Sequence, residues 1–201
     1  MKTKTEVKRQ AILNAAAEVF REMGFERASM SDIRARTGGS KATLYNYFPS
    51  KEKLFFEVMH KAKAGELEEI VGGLNPEAED FKQQLLDFGK NLLVVLYSPE
   101  AMAIRHLTIA ESRHSDIGKL SFEQAAAPIE SRVADFLRRG MKRRAIRTAD
   151  PKIAAMHLLS LLESELMQRF LLGMLDPVKP ETITSAVRRA VEVFISGYAR
   201  R

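Results

Sequence analysis

A short segment, Lys41–Tyr47, carries the residue types that proteins use to contact DNA. Lysine and asparagine can hydrogen-bond to base edges, and hydroxyl groups can bond to bases or to phosphate oxygens. We expect Leu44 to face the protein core. The residues expected to contact base edges or phosphates are Lys41, Thr43, Tyr45 and Asn46.

Two short helices and a glycine turn are predicted to position this segment. Ser29–Asp32 has the form of a capping box, in which serine and an acidic residue each bond to the other's backbone N–H, and it opens a helix to about Thr37. Gly38–Ser40 interrupts the pattern, and Pro49 ends the second helix. This order predicts a helix-turn-helix, whose second helix enters the DNA major groove. The alternative is a solvated surface helix of an ordinary helical domain.

The charge distribution supports a polyanionic partner for the N-terminal third. Residues 1–64 contain 13 Lys and Arg against 7 Asp and Glu, whereas residues 65–201 contain 19 of each sign. The whole positive excess therefore lies beside the predicted helix-turn-helix. Such asymmetry favours DNA or RNA over an acidic membrane surface as the partner.

Several other classes of protein are disfavoured. The absence of cysteine excludes disulfides, thiol nucleophiles and thiolate metal sites, and the four histidines lack ligand spacing, so neither a metal site nor a cofactor is expected. Ser50–Lys53 matches an acylation motif in spelling, but its partner motifs are missing and Ser50 fits a helix N-cap. No apolar run is long enough to span a membrane and no signal peptide is evident, so we expect a cytoplasmic protein.

The remaining sequence predicts an all-α protein with two domains. Apolar residues recur at helical spacing throughout, and the segment 65–79 has the glycines and prolines of a boundary. We therefore expect a DNA-binding domain at 1–64 and a larger helical domain at 65–201. One helix is predicted from Ile153 to Leu171 and the last one from Pro180, and Pro128 should bend or break the long segment before them. These last two helices carry more apolar residues than one face can bury, which predicts a homodimer interface including Leu162 and Phe194.

The segment Thr43–Leu54 closely resembles the signature of the tetracycline-repressor (TetR) family of bacterial transcription regulators, and Ala15–Phe25 matches the pattern of its first helix. The resemblance implies an N-terminal three-helix DNA-binding domain followed by a larger ligand-binding and dimerisation domain. It implies that Lys41, Thr43 and Tyr45 contact base edges, and that the phosphate contacts are Ser29, Ser40, Tyr47 and Lys51. Three positions depart from the family pattern, namely Arg34, Thr37 and Gly39. Arg34 should extend into solvent or reach the DNA backbone, and Gly39 should leave the turn without a core side chain.

The resemblance also implies a small, largely apolar effector. Polar residues among the apolar faces of the second domain are the candidates for its binding site, and they are Arg105, His106, Glu111 and Glu163. The function that these observations favour is a ligand-responsive repressor that binds a palindromic operator as a dimer. A sequence-independent architectural DNA-binding protein and a helical enzyme with a basic N-terminal domain remain alternatives. A second basic cluster over residues 138–147 is interpreted as a solvated helix end.

Overall fold

The computed structural model describes the backbone of residues 4–200 and the side chains of residues 5–61 and 65–200. The chain is 77% helical, and the described residues contain no strand, which confirms the all-α prediction. The chain folds as two compact units. One consists of the chain up to Lys63 together with Leu107–Gly118, and the other of Ala64–His106 and the chain from Lys119 onward. The predicted boundary had assigned the segment 107–118 to the second domain.

Four helices form most of the first unit around an aromatic and aliphatic core. They are α1 (Lys4–Arg27), α2 (Met30–Thr37), α3 (Lys41–Tyr47) and the beginning of α4 (Lys51–Gly72). Ile12, Ala16 and Val19 of α1 are almost completely buried, as their helical spacing predicted. Phe20 and Phe55 meet edge to face, with ring centroids 5.0 Å apart, and join α1 to α4.

Glycine interrupts α1 but not α4. Gly24 has a φ of 76°, and its non-helical backbone kinks α1 before the final residues up to Arg27. α4 continues through Gly65 as far as Gly72, inside the segment predicted as the domain boundary. An isolated glycine lowers helix propensity but does not remove a backbone hydrogen bond, so neighbouring residues can carry a helix through it.

The second unit has its core where four helices pack together. The helices after α4 are α5 (Phe81–Leu96), α6 (Pro99–Glu111), α7 (Ile117–Ser121), a π-helical turn (Phe122–Ala126), α8 (Ala127–Lys142), α9 (Pro151–Glu163), α10 (Met167–Leu171) and α11 (Pro180–Gly197). α5, α8, α9 and α11 supply most of the buried apolar residues. The π-helical turn directly precedes the turn that contains Pro128, so the predicted irregularity is present. No single helix among residues 4–200 is long and apolar enough to cross a membrane, and α5 and α6, which qualify only together, are bent by 71°.

The predicted single helix from Ile153 to Leu171 is wrong, because the chain breaks between α9 and α10. The Ser164 hydroxyl donates to the carbonyl oxygen of Leu161 at 2.7 Å, and the Ser164 N–H donates to the same oxygen at 3.2 Å. Serine can offer the backbone such an alternative to regular helical bonding. The helix therefore ends with a tight turn although no proline or glycine stands there.

The turn between α2 and α3 has two glycines with different conformational requirements. Gly38 caps α2 with a φ of 65° and donates its N–H to Arg34, so it needs the left-handed region. Gly39 is not among the residues with positive φ, and an added Cβ would lie 3.7 Å from Nζ of Lys8. This position therefore faces a lysine side chain.

We expect opposite effects on stability when each of these glycines is replaced by alanine. Gly39→Ala should stabilise the protein by about 0.4–1 kcal/mol, since alanine restricts the unfolded chain and fits the native backbone. Gly38→Ala should destabilise it by about 1–2 kcal/mol because of the left-handed backbone. Urea unfolding of the two variants beside the parent measures both changes. A destabilised Gly39→Ala variant would contradict this account of the turn.

Candidate nucleic-acid interface

The start of α2 is held by the predicted capping box. The Asp32 N–H donates to the Ser29 hydroxyl at 3.2 Å, and the Ser29 N–H donates to the Asp32 carboxylate at 2.9 Å. The Ser29 hydroxyl also donates to this carboxylate at 2.6 Å, and this bond, followed by that of the Ser29 N–H, holds the pKa of Asp32 below its usual value. Ser29 therefore caps the start of α2 and remains exposed to solvent.

α3 is a seven-residue helix with one anchored side and one open side. Leu44 is 2% exposed and Phe48, directly after the helix, is 0% exposed. Ser40 caps the start of the helix by accepting from the Thr43 N–H at 3.1 Å, and the two hydroxyl groups lie 2.8 Å apart. Leu44 is therefore buried, as predicted.

The open side of α3 presents the residues of DNA-contacting type. Lys41, Tyr45 and Asn46 are exposed, whereas Thr43 and Tyr47 are half-buried. Nζ of Lys41 lies 5.7 Å from the centroid of the Tyr45 ring, within the range of a cation–π contact. The outward side of the helix therefore combines a cation, a phenol and an amide, all able to reach a ligand without unfolding the helix.

Lys51 has a structural contact that the sequence did not reveal. Its ammonium group donates to the carbonyl oxygen of Phe25 at 2.9 Å and lies 4.2 Å from the centroid of the Phe25 ring. These contacts connect the start of α4 to the end of α1. A sequence signal for them is absent, because 26 positions separate the two residues.

The two arginines of α2 differ in their surroundings. Arg36 forms a bidentate pair with Glu22, at 2.7 and 2.8 Å, and this pair lowers the pKa of the Glu22 carboxyl. The side chain of Arg34 is exposed and forms no hydrogen bond or ion pair in the part of the chain that the structure describes. Arg34 therefore extends into solvent, which was one of the two expected arrangements, while the positive charge of Arg36 is already balanced.

Of the four predicted effector-binding residues, the structure brings two together. Arg105 donates to Oε2 of Glu163 at 2.6 Å, and the Tyr97 hydroxyl donates to the same oxygen at 2.8 Å. Burial raises the pKa of Tyr97 above its usual range, and the charge of Glu163 adds to this shift. Tyr97 was missed in the sequence because it ends an apolar run typical of a buried helix.

Arg105 and Glu163 line a cavity of about 270 Å³ within the second unit. The other lining residues are Leu67, Leu92, Leu96, Ser121, Ala125, Ala126, Ile129, Glu130 and Leu159. His106 does not line it; this residue is exposed, and its ring centroid lies 4.2 Å from that of Phe170. The side chains of consecutive helical residues point in directions about 100° apart, so His106 can lie outside the cavity that Arg105 lines. Glu111 does not line the cavity either, and it lies in the first unit.

The predicted interface residues Leu162 and Phe194 are buried in the core of the second unit, at 0% and 1% exposure. Placing them on a subunit interface is therefore wrong. A helix with apolar residues on several sides shows no sequence signal for which side packs inside its own chain. The exposed apolar residues of α9 and α11 are instead Ile153, Met156 and Val193.

Three arginines of the second basic cluster have partners within the protein. Arg143 donates to the carbonyl oxygen of Pro76, and Arg147 donates to that of Gly197 at 3.1 Å. Arg138 forms an ion pair with Asp135. The interpretation of the cluster as a solvated helix end stays a prediction for its other residues.

Comparison with known proteins identifies the class that this architecture represents. Residues 12–58 match the model of bacterial regulatory proteins of the tetR family, and residues 83–200 match the C-terminal domain of AefR-like transcriptional repressors. The chain is a helix-turn-helix DNA-binding regulator of transcription and not an enzyme. It belongs to the TetR family.

Individual relatives cover most of the chain. A TetR-family regulator from Mesorhizobium loti is similar over 99% of this chain and 100% of its own, with a TM-score of 0.80 and 27% identity. The flavonoid-responsive regulator FrrA is similar over 96% of this chain and 98% of its own, with a TM-score of 0.68 and 29% identity. The HTH-type regulator YhgD of Bacillus subtilis is 23% identical over 77% of this chain and 80% of its own length.

The contact between Lys51 and Phe25 leads to a stability prediction. Lys51→Ala should lower the free energy of unfolding by about 1–2 kcal/mol, because it removes a charged hydrogen bond and a cation–π contact. Lys41→Ala is the matched control, since Lys41 is exposed and its loss should change stability by less than about 0.5 kcal/mol. Chemical denaturation followed by circular dichroism measures both. Equal stability of the two variants would show that Lys51 does not brace α1 against α4.

Proposed function

We propose that this protein is a ligand-responsive repressor that binds a palindromic operator as a homodimer and is released by a small, largely apolar effector. The observation that carries the proposal is the arrangement of α3, whose buried Leu44 and Phe48 leave Lys41, Tyr45 and Asn46 facing outward. Members of the TetR family bind DNA as dimers and take small-molecule effectors. In functional terms we assign DNA binding to residues 1–64, and effector binding and dimerisation to 65–201.

Within α3 and its surroundings we assign two kinds of DNA contact. The proposed contacts to base edges are Lys41, Thr43, Tyr45 and Asn46. The proposed contacts to the phosphate backbone are Ser29, Arg34, Ser40, Tyr47 and Lys51. A hydroxyl that caps a helix can still accept or donate a further bond, and Lys51 has three donor hydrogens, so their intramolecular bonds are compatible with these roles.

We infer that the dimer forms through α9 and α11. These helices pack against each other, and they expose Ile153, Met156 and Val193 to solvent in the single chain. Exposed apolar residues on neighbouring helices can be buried by a second copy that presents the same surface. Such a dimer would offer two copies of α3 to the two halves of a palindrome.

We propose that the effector binds among the helices spanning residues 81–171, in the cavity beside Arg105 and Glu163. The name of FrrA describes it as flavonoid-responsive, and its likeness to this chain supports an organic effector. The effector would prefer a dimer state in which the two α3 helices are wrongly spaced for successive major grooves. Because the chromosome is the site of action of such a regulator in bacteria, we place the protein in the cytoplasm.

Selection from random DNA tests the operator and distinguishes the two kinds of contact. We expect the protein to enrich a palindrome; enrichment of no sequence would instead support an architectural DNA-binding protein. Lys41→Ala should cost about 1–3 kcal/mol at one operator position and relax specificity there. Lys51→Ala should weaken binding to all sequences alike and make the salt slope shallower by about one unit, measured at a temperature where the variant is folded. If both variants lose affinity equally for all DNA sequences, Lys41 contacts no base, and the base contacts are assigned to Thr43 and Tyr45 instead.

Charge introduced at α9 tests the dimer. Met156 is 50% exposed, so Met156→Glu should leave the monomer folded while placing a charge in the proposed interface. We expect monomers by sedimentation and an operator affinity lower by about 100-fold, since one half-site loses the advantage of linked binding. Val94→Glu on α5 is the control, because Val94 is 48% exposed on a helix outside that interface. A dimeric Met156→Glu variant with full affinity would contradict this assignment.

A further inference from the structure

The cavity in the second unit has an apolar body and a charged wall. Seven of its lining residues are leucine, isoleucine or alanine, and four carry polar side chains, namely Arg105, Ser121, Glu130 and Glu163. Ser121 directly precedes the π-helical turn, which contributes Ala125 and Ala126. These small side chains leave room along one wall. The volume of about 270 Å³ suits a small organic molecule.

The charge of Arg105 is already paired within the protein. Its Nη2 donates to Glu163 at 2.6 Å, and the guanidinium carbon lies 4.6 Å from the centroid of Phe170 and 5.2 Å from that of Tyr97. Its Nη1 is buried without a partner, so this nitrogen is covered by protein. Arg105 is therefore held by Glu163 and two aromatic rings, and a ligand would have to displace these contacts to use its charge.

Glu130 has no such partner. It lines the cavity half-buried in the first turn of α8 and forms no hydrogen bond or ion pair among the side chains that the structure describes. Its carboxylate therefore adds a negative charge to a wall where Arg105 and Glu163 already balance each other. An anionic ligand would meet repulsion there, whereas a cationic group would gain an ion pair that is shielded in part from water.

We propose that this cavity binds an amphipathic organic cation, whose charged nitrogen pairs with Glu130 and whose apolar body lies against the leucine, isoleucine and alanine side chains. The inference rests on the proposed function, because it names the chemical class of the effector. The apolar body supplies most of the binding free energy by burial, and the ion pair supplies selectivity for charge. A protonated amine and a quaternary ammonium group both satisfy this requirement.

Three probes of nearly equal shape and different charge test the proposal. Naphthylmethylamine is a cation near neutral pH, naphthylmethanol is neutral, and naphthoate is an anion. The dissociation constant of each is measured on the full-length protein by calorimetry or by naphthyl fluorescence. We expect the amine to bind about fivefold more tightly than the alcohol, as for a half-buried ion pair, and naphthoate to bind most weakly. Added salt should narrow the difference between amine and alcohol.

Three variants connect this selectivity to the cavity. Glu130→Gln keeps the shape of the side chain and should make the amine and the alcohol bind equally. Glu123→Gln is the matched control, because Glu123 lies seven positions earlier, is exposed and does not line the cavity, so the preference should persist. Ala126→Leu should weaken all three probes together by filling the space. Circular dichroism and thermal unfolding verify that each variant is folded.

Two results would contradict the proposed ligand class. One is that naphthylmethanol or naphthoate binds as tightly as naphthylmethylamine. The other is that the preference for naphthylmethylamine persists in the Glu130→Gln variant. Operator affinity, measured in the same samples, separates this question from the proposed function. Specific operator binding without selectivity for the amine would refute only the ligand class. Selectivity that depends on Glu130 without any effect on operator affinity would refute the ligand-responsive part of the proposed function.

Discussion

The burial of Leu44 and Phe48 holds a helix that is too short to persist in water by itself. Forming the first helical hydrogen bond requires several residues to be ordered at once, which costs conformational entropy. A helix of seven residues is therefore mostly unfolded when isolated. In α3 the two apolar side chains fix the inward side, and the Ser40 cap satisfies a backbone N–H at the start. The orientation of every outward residue of α3 follows from these contacts.

The neighbouring helices supply the surface on which α3 rests. α2 starts at a capping box and ends at a left-handed glycine, so both of its ends have defined positions. The contact of Lys51 with Phe25 joins the end of α1 to the start of α4, close to Phe48 in the chain. The candidate DNA-binding surface is thus supported by capping and bracing contacts as well as by the apolar core.

The second unit combines a tight apolar core with a small number of polar groups at one cavity. Tyr97 and Nη2 of Arg105 both donate to Glu163, and such pairing permits charged groups among apolar side chains. The chain leaves this unit after His106 and returns at Lys119, so Arg105 and Ser121 stand near the two crossing points in sequence. The segment 107–118 therefore begins two residues after Arg105 and ends three residues before Ser121, and both of these residues line the cavity.

Local patterns in the sequence determined most of the helices and the helix-turn-helix. The capping box at Ser29, the serine cap at Ser50 and the inward position of Leu44 depend on residues no more than one or two turns apart, and all agree with the structure. The length of α4 was less predictable, because tertiary packing outweighs the cost of one glycine.

Contacts between distant residues were decided only by the tertiary structure. The partner of Lys51, the shared oxygen of Glu163, and the presence of Glu130 in the cavity join positions that no spacing rule relates. The burial of Leu162 and Phe194 is of the same kind, since an apolar helix can pack equally well inside its own chain or against a second copy. Sequence periodicity records which side of a helix is apolar, whereas the identity of what covers that side depends on the three-dimensional arrangement of all the helices.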